Sequence, residues 1–306
     1  TILDNTKVKN LIIKDKKITG IKIQNKSIEQ IIQLSHGAIL CSGSIMTPYL
    51  LMHSGIGDKE HLKKFDKEII IDNSNVGRNL QDHLGLDYLF KTHHHSLNKS
   101  LGTWPGRITS VLKYIYNRKG PLSLSINQSG GYVNWNSKHH YPNLQIYFNP
   151  LTYSITHKNK RPLLKTDKFN GFIIGYNSCR PKSLGRVALN SPNFEDAPLI
   201  DPNFLSHEED IYDVKCAINF SQVLANTNSI KKIRNESVTH DLLNATEEEM
   251  IDHFKSNAVS IYHPCGTCKM DEDPKKGVVS ERLKVHGMEN LWIADASVFP
   301  NITSGN

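Results

Sequence analysis

His263 and Asn306 are the side chains whose types could share a proton-transfer reaction, and they stand 43 positions apart. Histidine titrates near neutral pH, so His263, in the run His263-Pro264-Cys265-Gly266-Thr267, could take up a proton. Asn306 cannot, but its amide can hydrogen-bond a substrate oxygen. Between them, Leu291 to Ala294 is a short apolar run bounded by Asn290 and Asp295, the pattern of a buried parallel strand. Ligands of open parallel sheets bind beyond the carboxyl ends of the strands. Asp295, Ala296 and the loop through Asn306 would lie at such an end, so the pattern reads as a site assembled from two loops.

Two other clusters invite chemistry. Cys265-Gly266-Thr267-Cys268 has the spacing of a redox or zinc half-site, but no second pair exists, and the plainer reading is two small side chains in a tight loop. His93-His94-His95 could hold a metal, but a lone surface tract is the plainer reading. No metal site is assigned. The five cysteines, an odd number, argue against a disulfide framework.

The elements that must position these residues can be read from periodicity. Residues 8–13 and 18–23 are β-type runs around Lys14-Asp15-Lys16-Lys17, a hairpin, and a polar strand follows at 27–34. Gly37 to Cys41 reads as a buried strand meeting a tight turn. Thr47-Pro48 reads as a helix start, with Thr as cap and Pro at the first helical position. Gly55 and Gly57 close that helix rather than open one, and no G-x-G-x-x-G occurs. Beyond residue 84, strands are expected at 84–91, 143–148 and 169–178, with 186–190 pairing with the last. Helices are expected at 107–118, 211–225 and 247–255, the last capped by Thr246. Strands and helices in runs indicate an α+β region with an antiparallel sheet.

At 306 residues the chain can form one large domain or two ordinary ones. Its net charge of +7 invites a nucleic-acid reading, but the lysines are spread along the chain and no basic stripe with interleaved aromatics is present, so that class is set aside. There is no transmembrane run of eighteen apolar residues and no secretory peptide. The chain therefore reads as cytoplasmic, with association at a membrane surface left open. Because it begins at Thr1 and ends at Asn306, it reads as a piece of a longer protein.

Gly43 to Gly57 resembles the second signature of the glucose–methanol–choline (GMC) oxidoreductases. Val76-Gly77-Arg78-Asn79-Leu80-Gln81-Asp82-His83 resembles that family's VGxNLQDH stretch, and His263 to Met270 resembles its catalytic-histidine segment. Val285-His286-Gly287, Ala294 to Pro300 and Ser304-Gly305-Asn306 resemble its flavin-binding end. The motifs span nearly the whole chain in the family's order and are most similar to the choline dehydrogenase-like branch.

The resemblance implies an incomplete α/β, Rossmann-like FAD-binding lobe at 1–83, an α+β substrate lobe with an antiparallel sheet at 84–262, and a return to the FAD lobe at 263–306. It implies a G-x-G-x-x-G unit before Thr1 and a closing helix after Asn306. The implied activity is oxidation of a primary alcohol with hydride transfer to flavin, using oxygen or a quinone as acceptor. His263 is then the general base, and Asn306 orients the substrate and contacts the cofactor. Val8, Asp295 and Ala296 contact FAD. Where choline-specific members carry a glutamate this chain has Gln128, which points to a neutral primary alcohol. A hydroxynitrile lyase-like member and an FAD-free binding fragment are the alternatives.

Overall fold

The computed structural model describes residues 1–305 except 126, 137, 159, 160 and 240, with the backbone alone at 155–158 and 161–164. Two compact units result. The first comprises 1–82, 181–207 and 262–306, and the second 83–180 and 208–261.

In the first unit, β1 (Thr6–Lys14), β2 (Lys17–Asn25) and β3 (Ile28–Gln33) form an antiparallel meander, the expected hairpin plus its polar third strand. β4 (Ala38–Leu40) lies parallel to the strand Leu291–Ile293. Next comes α1 (Gly43–His53), apolar around most of its circumference and buried from Thr47 to His53. A helix apolar all round belongs inside a core. Tyr49, Leu50, Leu51 and Met52 pack with Leu11 and Ile18 of the meander, Val187, Val278, Leu291 and Ile293 in one cluster.

α1 starts at Gly43, four residues before the expected Thr47-Pro48 start, so Pro48 sits inside the helix. Proline lacks the N–H that would bond the carbonyl of the residue four before it. That carbonyl, Ser44 O, instead accepts the Thr267 hydroxyl at 2.6 Å. The helix therefore continues through the proline because a loop more than two hundred residues away fills the missing bond.

The span expected as one substrate region, 84–262, is interrupted: residues 181–207 belong to the first unit. The strand Gly185–Ala188 pairs with Arg78–Leu80 and Leu199–Asp201, not with the strand Gly171–Ser178 as its sequence position suggested. The Val187 N–H donates to Gly77 O at 2.7 Å, and the Leu189 N–H donates to His61 Nε2 at 3.0 Å. With Val187 and Leu189 both in the core cluster, burial and main-chain pairing both draw this segment away from the second unit.

The second unit is built on a five-stranded antiparallel sheet in the spatial order Val259–Ser260, Leu84–Lys91, Gly171–Ser178, Leu144–Asn149 and Ser129–Val133. Its central strand is buried through seven residues, from Gly171 to Asn177. The helix Glu208–Ala225 packs on that strand, and Glu247–Asn257 packs on the helix. The latter begins with a reciprocal capping box between Thr246 and Glu249. Among the described residues no helix is long and apolar enough to cross a membrane.

Two expectations follow. Gly77 has φ +80°, and a Cβ there would lie 2.1 Å from Val187 O. Gly77→Ala combines a left-handed backbone with a main-chain clash, so it should destabilise the first unit by about 2 kcal/mol or more, read as a lower urea midpoint. His53 is 5% exposed and wedged between Tyr49 and Phe194, with ring centroids 4.4 and 5.1 Å away. Burial, aided by Lys67, pushes its imidazole down to about 4 from 6.5. The unfolded chain therefore binds the proton first as pH falls, so this contribution to stability is complete above about 6.5 and is lost on going down to about 4. His53→Leu should flatten the stability–pH curve in that window relative to the parent.

Candidate active site in the first unit

β4 and the strand Leu291–Ile293 run in parallel register, Ala38 opposite Leu291 and Leu40 opposite Ile293. Both chains leave the pair at the same end, one into Gly43 and the other into Asp295. There the Asp295 carboxylate faces the amino end of α1. Its Oδ2 accepts the Gly43 N–H at 3.0 Å and the Thr47 hydroxyl at 2.6 Å, while Oδ1 accepts the Ser297 N–H at 2.8 Å. An acid at this position offsets the partial positive charge of the helix end and satisfies otherwise orphaned N–H groups. Thr47 completes the corner by accepting the Ser42 N–H at 3.1 Å. The carboxylate is thus occupied by protein donors. The surface above it is formed by the exposed Ala294, the half-buried Ala296 and Gly43.

Room for a ligand exists at this end. Gly43 has φ +78°, and a Cβ built on it meets nothing within 4 Å. In the first turn of α1 the buried Ser44 hydroxyl has no hydrogen-bond partner among the described residues. Beyond the carboxyl ends of a parallel pair, an open backbone at a helix amino end suits an extended polar cofactor.

The loop carrying His263 is laid against the same corner. Gly266 N–H donates to Ala296 O at 3.1 Å, Cys268 N–H to Ser297 O at 2.8 Å and Met270 N–H to Val298 O at 2.9 Å. On its other side, Cys265 and Gln81 exchange main-chain bonds of 2.9 and 3.1 Å. Asp82 Oδ1 accepts the His263 N–H at 2.9 Å, which fixes the backbone from which the exposed imidazole projects. Asn79, at φ +62°, donates through Nδ2 to Gly266 O and Pro300 O at 3.3 and 3.4 Å. Gln81 Oε1 accepts the Ile302 N–H at 3.0 Å. Residues 79–82 therefore hold the 263–266 loop and the 300–302 segment together. Gly266 has φ +86°, and a Cβ there would lie 2.5 Å from Asn79 O, so only glycine allows this approach.

The Cys265 and Cys268 thiols are buried. Burial pushes Cys265 up to about 12 and Cys268 higher still, so both stay protonated at neutral pH. That suits packing in a tight loop, not thiolate chemistry. Among the described residues no group of three or more His, Cys, Asp or Glu is placed to hold a metal ion.

The structure thus brings His263, Asp295 and Ala296 into one corner. Val8 lies elsewhere. It is half-buried in β1 opposite Ile23, and its neighbours Asn10 and Leu11 bond His53 O and Ser54 Oγ at the carboxyl end of α1, about 16 Å along the helix from Asp295. Asn306 lies outside the described residues. Gln128 belongs to the second unit, where its N–H donates to Phe148 O at 3.1 Å. Single-residue reasoning gave no role to Asn79, Gln81 or Asp82, or to the pairing of Thr47 with Asp295. The available signal was three polar side chains, Asn79, Gln81 and Asp82, within four residues around a buried Leu80. That pattern suits a segment bonding its neighbours through side chains.

The chain is similar to known proteins over its whole length. Two family models, both described as GMC oxidoreductase, match residues 1–85 and 181–306. An alcohol dehydrogenase [acceptor] of Pseudomonas putida is 32% identical over 308 aligned residues, covering 100% of this chain and 54% of its own length. An oxygen-dependent choline dehydrogenase of Cronobacter sakazakii is 29% identical, with the same two coverages of 100% and 54%. A formate oxidase of Aspergillus oryzae, in a variant studied for FAD modification, superposes with a TM-score of 0.89 at 26% identity, over 98% of this chain and 56% of that one. The chain spans about half the length of these relatives. Family models at both ends, enclosing the Asp295 corner and the His263 loop, establish that the chain belongs to the GMC oxidoreductase family.

Proposed function

We propose that the protein is an FAD-dependent oxidoreductase that oxidises the CH–OH group of a primary alcohol. Family membership and the alcohol- and choline-oxidising relatives support the class. The observation that carries the reading for this chain is the anchoring of the His263 loop: Asp82 holds the His263 backbone while Gly266 bonds Ala296, so the main chain that bears an exposed imidazole is fixed beside the strand end that bears Asp295.

FAD supplies the hydride acceptor, since no side chain takes up a hydride. Asp295, Ala296 and the open backbone at Gly43 would hold its polar chain, and Val8, at the far end of α1, would meet another part of an extended cofactor. Residues 1–82 and 262–306 would thus act as the Rossmann-like lobe, and the second unit would act as the substrate lobe. An alcohol gives up hydride readily only as its hydroxyl proton leaves. His263 takes that proton on its imidazole, the C–O bond becomes a carbonyl, and the C–H bond breaks with its electron pair leaving as hydride. Asn306 donates a hydrogen bond to the substrate oxygen. Asp82 acts through His263 as a positioning residue. Oxygen or a quinone is the terminal acceptor.

His263→Ala should lower the rate of flavin reduction by alcohol about 10²- to 10⁴-fold with flavin content unchanged, as measured anaerobically by stopped flow. Reduction at the parental rate would place the base elsewhere. Asp82→Ala should cost about 10- to 100-fold through misplacement of the imidazole, whereas Asp82→Asn keeps an oxygen for the His263 N–H and should recover most of the loss. Equal damage by both variants would reduce Asp82 to a folding role. For the substrate, a quaternary ammonium needs a carboxylate or an aromatic enclosure, and Gln128 is neutral. Neutral primary alcohols should therefore exceed choline in kcat/KM, and a preference for choline would assign its cation to another residue.

A further inference from the structure

The charge of this chain is unevenly placed. Its cations are spread along the sequence, but its acids are not: residues 88–166 contain 11 of the 37 Lys and Arg and none of the 30 Asp and Glu. The remaining residues hold 26 cations against 30 acids, so the excess positive charge of the protein comes from this one stretch of the second unit.

Within the stretch lies the helix Trp104–Asn117, which is amphipathic in the wrong sense for a core element. At about 100° per residue, Gly106, Ser110 and Tyr114 form one row along it. Ser110 is its one buried residue, Tyr114 is half-buried, and a Cβ on Gly106 would lie 2.4 Å from Ser100 O. That row is the face turned to the protein. Opposite it, Trp104, Ile108, Val111, Leu112, Ile115 and Tyr116 make an apolar arc in solvent, with Trp104 76% and Ile115 67% exposed. Leu122 and Leu124 continue the apolar surface just past the helix end. A helix of a globular protein normally points such an arc inward, and contiguous exposed apolar patches of this kind mark interaction surfaces. Arg107 borders the arc on one side and Lys113 on the other, with Arg118 and Lys119 at the carboxyl end.

We infer that this helix docks the protein onto an anionic lipid surface, lying in the interface with its apolar arc among the acyl chains. Exposed Trp, Ile and Leu on one face, cations along the edges and a length of about 21 Å are the features of a helix that lies on a membrane and does not span one. Charge complementarity selects the occupant. Lipid headgroups of negative sign match a helix and flanks without a single acid. A second copy docked through the same face would set these cations against themselves. A nucleic acid would meet the apolar arc before the cations that border it. Docking of this kind is separate from the proposed alcohol oxidation and holds whichever substrate is used.

The test is co-sedimentation of the full-length protein with vesicles of phosphatidylcholine, with and without phosphatidylglycerol. Binding is expected only to the vesicles containing phosphatidylglycerol, weakened by added salt and accompanied by a blue shift of Trp104 emission that Trp104→Phe removes. Ile108→Asp/Ile115→Asp, both at exposed positions, should lower the partition coefficient about tenfold or more with the melting temperature unchanged. Lys113→Glu/Lys119→Glu should lower it about tenfold. Equal binding to both vesicle types, no binding to either, or full binding by the Ile108→Asp/Ile115→Asp variant would overturn the inference. So would a lipid-free dimer that this variant converts to monomer, which would make a second copy the occupant.

Discussion

One carboxylate holds the first unit together at the end that bears the candidate site. Asp295 takes the first N–H of α1, the hydroxyl of Thr47 and the N–H of Ser297, and so joins segments 252 positions apart. The parallel pairing of β4 with Leu291–Ile293 brings the two chains alongside, but this acid decides how they leave the sheet. If its oxygens were withdrawn, the Gly43 N–H would be an orphan at a helix end and Thr47 would lose its acceptor. Both are costly away from water. The loop that carries His263 then inherits its position, because it bonds the turn that Asp295 starts: Gly266 to Ala296, Cys268 to Ser297, Met270 to Val298.

The opposite wall is built by side chains. Asn79, Gln81 and Asp82 each bond the backbone of another segment through the side chain: Gly266 and Pro300, Ile302, and His263. A backbone held from two sides by hydrogen bonds fixes the point from which the imidazole projects, which is what the proposed proton transfer requires. The cysteines of the same loop serve packing. Buried and protonated, Cys265 and Cys268 fill the space between the two walls.

Much of this was legible from residue order, and the failures have physical causes. The hairpin, the meander strand, the strand 84–91 and the capped helix at 247 are set by local patterning and appear where periodicity put them. The parallel strand ending at Asp295 was readable from its apolar run and its bounding polar residues. The start of α1 was not, because its stabilisation comes from Asp295 and from Thr267, both remote in sequence. Residues 181–207 were assigned to the wrong unit for the same reason: strand-like composition does not say which strand is the partner, and here Gly77 and His61 decide it. Of the candidate site, His263, Asp295 and Ala296 could be named from motif order, whereas the residues that position them could be found only from their contacts.

The first unit is discontinuous, made of residues 1–82, 181–207 and 262–306 around the inserted second unit. During synthesis this separation becomes a delay. β4 and α1 leave the ribosome more than two hundred residues ahead of Thr267 and Asp295, which complete them. At ribosomal speeds of roughly 5–20 residues per second, that is a wait of about ten seconds or longer. Over that interval the apolar surface of Tyr49 to Met52 lacks its late partners Val278, Leu291 and Ile293, and the edge of β4 that pairs with Leu291–Ile293 stays open, while the inserted sheet can already close on itself. The arrangement that gives the site its rigidity therefore makes the nascent chain a client for chaperones, and it makes the arrival of residues 262–306 the step that closes the first unit.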